Sequence, residues 1–228
     1  MFWNNKNQKL IDRALRLNPM GQLKNYLMTP LVDLNLPALS VDYLVLDFET
    51  TGLDDQRDHI ISIGFTEISQ GRVQLNRSQH HLVKTEKKLE SDNVSIHQIT
   101  DDEVSQGIGI KAMMNLLLQH MAGKAVVAHY QSIEYNFIQR ISEQLYGHAL
   151  PMVMVDTLQI ERRKLQRLFR PIGANQLRLF NLRNDYNLPR YHAHNAMEDA
   201  IATAELLLAQ ICHRQQQHKA VKLKDITS

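Results

Sequence analysis

Residues 43–65 read YLVLDFETTGLDDQRDHIISIGF. Two apolar runs flank a polar turn that contains glycine, the pattern of two strands joined by a short connection. HIISIGFTEI (59–68), a turn at Gln70-Gly71 and VQLNRSQHHLV (73–83) continue it, so three consecutive strands are expected. Asp47 and Glu49 stand at the end of the first strand. Alternate residues of a strand share a face, so these two carboxylates converge. Close like charges raise a carboxylate's pKa and cost stability unless a cation lies between them, and the pair therefore points to metal binding. The competing explanation is a strand that frays into solvent and carries two ordinary surface acids.

Further along, the periodicity changes. GIKAMMNLLLQHMAG (109–123) has helical spacing and ends at Gly123, and KAVVAHY (124–130) is a short buried strand. SIEYNFIQRISEQLYG (132–147) is a helix closed by Gly147, and MVMVDT (152–157) is another strand. Strand, helix and strand in succession imply a parallel crossover. TLQIERRKLQRLF (157–169), ANQLRLFNLRNDY (174–186) and NAMEDAIATAELLLAQICHRQ (195–215) all have helical spacing. The expected fold is α/β, a mixed sheet that is antiparallel in its first three strands and parallel thereafter, flanked by helices.

Residues 1–40 have apolar side chains at Leu10, Ile11, Leu15 and Leu17, then Pro19, Gly21, Pro30 and Pro37. They are expected to form a mostly helical arm, ahead of a main domain over 41–212 and a polar, frayed tail over 213–228. Whether the arm, with Phe2, Trp3 and Leu10, docks a partner or covers the domain's own sheet is not decided by its residues. Length and composition suit one domain with an extension: 228 residues, 43% hydrophobic and 22% charged. No apolar run approaches the roughly 20 residues of a bilayer span, so a membrane protein is not expected. The first residues lack the uninterrupted hydrophobic segment of a secretory signal. The single cysteine, Cys212, leaves no internal disulfide or cysteine-rich zinc site. A reducing cytoplasm fits. A net charge of +2 neither demands nor forbids an acidic partner such as nucleic acid.

The last long helix begins YHAHNAMEDAIATAELLL (191–208). Asp199 lies near its first turn on the side expected to face the sheet, Glu198 is expected to point outward, and His194 precedes Asp199 by five residues. An acid near a helix start is favoured by the dipole alone, but that does not account for the histidine.

DFETTG, SIHQITDDEV, VVAHYQSIEYNFI, MVMVDTL and HNAMEDAIATAELL, in this order over about residues 42–212, resemble the DEDDh family of 3′-5′ exonucleases. Its relatives include the proofreading epsilon subunit of bacterial replicative DNA polymerase. Asn195 stands where the tyrosine branch of that superfamily has its tyrosine, which indicates the histidine branch. The resemblance implies a ribonuclease H-like fold and a pair of divalent cations, Mg²⁺ or Mn²⁺, held by Asp47, Glu49, Glu134 and Asp199. His194 would act as general base and the products would be nucleoside 5′-monophosphates. Thr50, Thr51, Gly52, Leu53 and His97 match segments that approach the substrate. One motif departs from the family. Where HNxxFD is usual this chain has HYQSIEYNF, so Tyr130 replaces asparagine and Glu134 replaces aspartate, and no aspartate lies between Asp102 and Asp156 to restore it.

Other histidines carry weaker expectations. His192 is a rival base at the wrong spacing, His129 reads as a satisfied buried histidine, and His80-His81 reads as a solvated strand edge. Arg163, Arg167 and Arg170 fall at i, i+4 and i+7 and form either a solvated stripe or contacts to a phosphate backbone. Gln176 to Phe180, QLRLF, resembles the peptide with which bacterial replication proteins bind the sliding clamp, though it lies inside an expected helix and such peptides bind extended. The expected partner is a single-stranded 3′ end, DNA before RNA, with polymerase or sliding-clamp association as a further option. The alternative is a nucleic-acid-binding scaffold weakened in catalysis by Glu134 and Tyr130.

Overall fold

Strand β1 (Tyr43–Thr50) sits at the centre of the sheet because both of its faces are apolar for most of its length. A computed structural model describes residues 2–85, 99–191, 195–217 and 220–227. β2 (Ile60–Ser69) pairs antiparallel with β1, placing Gly64 beside Asp47 and Ser62 beside Glu49. β3 (Arg72–Leu82) pairs antiparallel with β2 after a turn in which Gln70 and Gly71 both have positive φ, 53° and 68°. Two such residues in succession match the twist of a tight hairpin. β4 (Ala125–Ala128) runs parallel to β1, and β5 (Met154–Asp156) parallel to β4. The described strands form a sheet in the order β3-β2-β1-β4-β5, mixed as expected.

The two faces carry separate cores. Leu44, Leu46 and Phe48 of β1 pack against α4 (Ile110–Met121) and α5 (Ser132–Tyr146). The arm folds as α1 (Phe2–Leu15) and α2 (Gly21–Met28), and Ala14, Leu23, Tyr26 and Leu27 join this same core. The Tyr26 hydroxyl donates to the carbonyl of Pro151, and the amide of Asn7 to Met152 O at 3.4 Å. The arm therefore covers the helical layer of its own chain. A short helix, α3 (Asp101–Ser105), starts at a Thr100/Glu103 capping box. After β5 come α6 (Thr157–Arg167), α7 (Leu179–Asp185) and α8 (Ala196–Gln217). On the opposite face Tyr43, Val45, Val127 and Val155 meet Ala204, Leu207 and Ile211 of α8. Ala196, Ala200 and Ala204 recur every fourth residue and are fully buried, so their small side chains let α8 lie close to the sheet.

Two expectations are corrected. Over its described residues the tail is not frayed: Val221, Leu223 and Ile226 are buried in the core under α8, and Thr227 bridges Val155 on the outer strand β5. Polar neighbours hide these three apolar residues in the sequence, yet the outer strand needs a cover for its unpaired backbone. The helix expected over 174–186 begins only at Leu179, because Asn175 has φ +63° and breaks the run. Among the described residues no helix is long and apolar enough to cross a membrane.

Candidate active site

Three elements bring their acids to one end of the sheet. Asp47 and Glu49 lie on the β1 face that α8 covers, since they share the alternation of Tyr43 and Val45. α8 begins directly over β2 at Gly64, where an added Cβ would fall 2.0 Å from Ala196 C and Met197 N. Only glycine admits this approach. Asn195 caps α8, its Oδ1 accepting from the N–H groups of Met197 (3.1 Å) and Glu198 (3.2 Å). The first turn so fixed carries Asp199 onto the β1 pair: ligand oxygens of Asp47, Glu49 and Asp199 lie within 4.8 Å of one another.

Glu134 arrives from the first turn of α5 and is 2% exposed. It lies outside that 4.8 Å group but acts on it. Burial, followed by the charges of Glu134, Glu49 and Asp199, holds the Asp47 carboxyl well above the usual carboxylate range. Burial pushes Glu134 itself up to about 8; its own backbone N–H opposes this, and Asp156 and Glu49 add to it. Glu134 Oε2 is buried with no hydrogen-bond donor. Among the described residues, the charges acting on Asp47 are thus all of one sign, the donor atoms are all oxygen, and Glu134 Oε2 is buried without a partner. Such a set is compatible with a divalent cation.

Asp156, the last residue of β5, escaped the sequence reading. Its Oδ1 accepts from the N–H groups of Tyr130 (3.1 Å), Leu158 (2.9 Å) and Gln159 (3.3 Å), and its Oδ2 from Gln131 (3.3 Å). It therefore caps α6 and at the same time fixes the turn from which α5 and Glu134 start. Burial outweighs these bonds and raises its pKa. An acid at a strand end followed by a helix was the available signal. Gly64 offered only a glycine inside a strand, a weaker sign of close approach.

The loop after β1 is tightly bonded. Thr50 is buried and donates to Gly52 O at 2.7 Å, while the Thr51 hydroxyl lies 3.1 Å from Asp58 Oδ1. A Cβ on Gly52 would meet Asp58 Oδ2 at 2.3 Å. Leu53 is 76% exposed at the tip. His97, His192 and His194 lie outside the described residues. His129 is the satisfied histidine expected of it: Nδ1 lies 2.8 Å from Thr157 Oγ1, Nε2 lies 2.9 Å from Leu177 O, and burial pushes its pKa down to about 4. His80 is nearer the acids than its spacing suggested, aligned with Gly64 across the sheet and subject to the charge of Glu49.

The arginine stripe does not form. α6 ends at Arg167, Phe169 turns to φ +51°, and Arg170 leaves the helix. Arg163 donates to the carbonyls of Thr227 (2.8 Å) and Ile226 (3.2 Å), so it anchors the C-terminal segment. Arg167 is exposed and donates to Arg163 O at 3.2 Å. QLRLF is not extended either: Gln176 Oε1 accepts from Gly173 N–H at 2.9 Å, and Leu179 begins α7.

The family model described as Exonuclease matches residues 44–207. The DNA polymerase III PolC-type protein of Thermotoga petrophila is 28% identical over 166 residues, which are 73% of this chain but 12% of that protein. The chain thus spans only a small part of the PolC-type relatives. The DNA polymerase III subunit epsilon of Treponema pallidum is 27% identical over 178 residues, 78% of this chain and 80% of that one. Among solved structures, the nuclease domain of 3′hExo, a DEDDh family member bound to rAMP, superposes with a TM-score of 0.64 at 13% identity, covering 85% of this chain and 98% of that one. That likeness agrees with the mixed sheet and its flanking helices.

Proposed function

Because the chain belongs to the exonuclease family, whose model spans residues 44–207, we propose that it hydrolyses phosphodiester bonds one at a time from the 3′ end of single-stranded DNA. The products are nucleoside 5′-monophosphates. The observation that carries this reading is the meeting of Asp47, Glu49 and Asp199 within 4.8 Å, with buried Glu134 acting on Asp47. DNA is favoured over RNA because both relatives named above are DNA polymerase III proteins.

Asp47, Glu49, Glu134 and Asp199 would hold two divalent cations, Mg²⁺ or Mn²⁺. Bound there, such cations would neutralise the scissile phosphate and make a water acidic enough to attack near neutral pH. Asp47 is central, since the other three acids all act on it. Glu134 is longer than the usual aspartate by one methylene but starts from a helix turn that Asp156 holds in place, from which its charge acts on Asp47. His194 takes the proton of the attacking water, a task suited to a group with an ordinary pKa near 6.5. The water oxygen bonds to phosphorus, the bond to the 3′ oxygen breaks, and that oxygen leaves with a proton from solvent. Leu53 and the backbone of Thr50–Gly52 line the approach of the terminal nucleotide. His97 and Arg167 are proposed as outer contacts.

The test is a 5′-labelled oligonucleotide incubated with the pure protein. A ladder shortened from the 3′ end is expected with Mg²⁺ or Mn²⁺, none with chelator, and at least about 100-fold less with Asp199→Asn. Matched DNA and RNA substrates decide between the two polymers. Absence of any ladder with either cation would remove the enzyme reading and leave a binding protein.

A further inference from the structure

Tyr130 stands where β4 passes into α5, four residues before Glu134, with φ at +69°. An L-residue in this region crowds its own backbone, at a cost of roughly 1–2 kcal/mol, and an aromatic rarely adopts it. Asp156 enforces the conformation through the N–H groups of Tyr130 and Gln131. No burial compensates the strain, since Tyr130 remains 49% exposed. Strain held at a functional rim, with an apolar ring left in water, is the kind of outlier from which a ligand contact is properly argued.

Tyr130 lines a cavity of about 360 Å³, together with Gln131, Ser132, Asp156, Gln159 and Arg163. That volume is in the range of small-ligand pockets, ~300–1,000 Å³. Arg163 is held rigid by the carbonyls of Gln159, Ile226 and Thr227, which occupy three of the five N–H donors a guanidinium has. Asp156, the only acid in the wall among the described residues, has its oxygens engaged by four backbone N–H groups. The positive charges of Arg167 and Arg214 also act on Arg163. An aromatic face beside a fixed guanidinium suits a single nucleic-acid strand, whose bases stack and whose phosphates seek cations.

We infer that this cavity is a subsite for one nucleotide on the 5′ side of the scissile bond, its base stacked on Tyr130 and its phosphate turned to Arg163. The subsite rests on the nuclease reading of the carboxylates. It is tested by equilibrium binding of a fluorescent oligodeoxythymidylate with a phosphorothioate 3′ linkage, in Mn²⁺, to the full chain and to Tyr130→Phe, Tyr130→Ala and Tyr130→Asn. Tyr130→Phe should bind within about twofold of the parent, and Tyr130→Ala roughly 5- to 100-fold more weakly. Tyr130→Asn should melt at a higher temperature, since asparagine tolerates the left-handed region, yet also lose affinity. A purely structural tyrosine would not produce that combination. In the parent, an abasic residue at one position of the strand should weaken binding by a similar factor, and should cost Tyr130→Ala nothing further. If the parent binds and all four proteins bind alike, the subsite is wrong while the nuclease reading stands. If the parent binds no DNA, both fall.

Discussion

Glu134 is a fully buried acid whose charge is hard to accommodate without a cation. The folded protein holds its carboxyl at about 8 against an ordinary 4.5, so between those values it retains a proton that the unfolded chain has released. Its contribution to stability is full below 4.5 and is lost as pH rises through 8. In ion-free protein at pH 9, Glu134→Gln should therefore raise stability, by on the order of a few kcal/mol, because a buried charge is replaced by a neutral amide of equal size. The same substitution should shrink the rise in melting temperature on adding Mn²⁺. Calorimetry with and without Mn²⁺ checks both, and an unchanged Mn²⁺ response would exclude Glu134 as a ligand. Asp156 differs from Glu134 although both are buried, because four backbone donors already satisfy it.

Between elements, the contact of α8 with β2 decides whether the site exists. Gly64→Ala places a methyl carbon 2.0 Å from helix backbone, which cannot rotate away as a side chain can. α8 must lift, and Asp199 lifts with it. A stability loss of about 1–3 kcal/mol and a nuclease rate reduced by roughly 100-fold are expected. A melt near that of the parent with full activity would show that the first turn of α8 can shift without moving Asp199. A second clamp, remote from the acids, joins β2 to α4 and β3. Glu67, 3% exposed, contacts His120 Nδ1 (3.0 Å), Lys124 Nζ (3.1 Å) and Arg77 Nη1 (2.8 Å). Burial would raise its pKa, but these partners outweigh burial and bring it down to about 2. A lowered carboxyl stabilises above its unfolded value of 4.5 and loses that contribution as pH falls towards 2. Urea midpoints should accordingly drop more steeply from pH 5 to pH 3 in the parent than in Glu67→Gln. Parallel curves would mean the three partners do not act on Glu67 in solution.

At the scale of the whole molecule, the two ends of the chain complete the two faces of the sheet. α1 and α2 thicken the α4 and α5 side, while residues 220–227 cover the outer strand β5 and supply acceptors to Arg163 and Arg214. Truncation after Gln217 uncovers Val221, Leu223 and Ile226 and frees the backbone of β5. Stability should fall on the order of 5 kcal/mol, from three buried side chains at about 1.5–3 kcal/mol each, with aggregation through the bared strand. Denaturant unfolding and light scattering read the two effects; a midpoint equal to that of the parent would show the segment to be dispensable.

The sequence by itself determined the strand order along the chain, the turn at Gln70-Gly71, the convergence of Asp47 with Glu49 and the candidacy of Asp199 at a helix start. Periodicity of two or of 3.6 residues is a local property, and these features need nothing else. Only the tertiary structure decided that Gly64 is the seat of α8, that Asp156 ties two loops together, that Arg163 holds the C-terminal segment and that Val221, Leu223 and Ile226 are core. Each depends on which distant backbone arrives beside a residue, and hydrophobic patterning along one segment says which face is buried but not what covers it. The strain at Tyr130 lies in the same class, because a φ of +69° at a tyrosine is set by Asp156, 26 residues further along the chain.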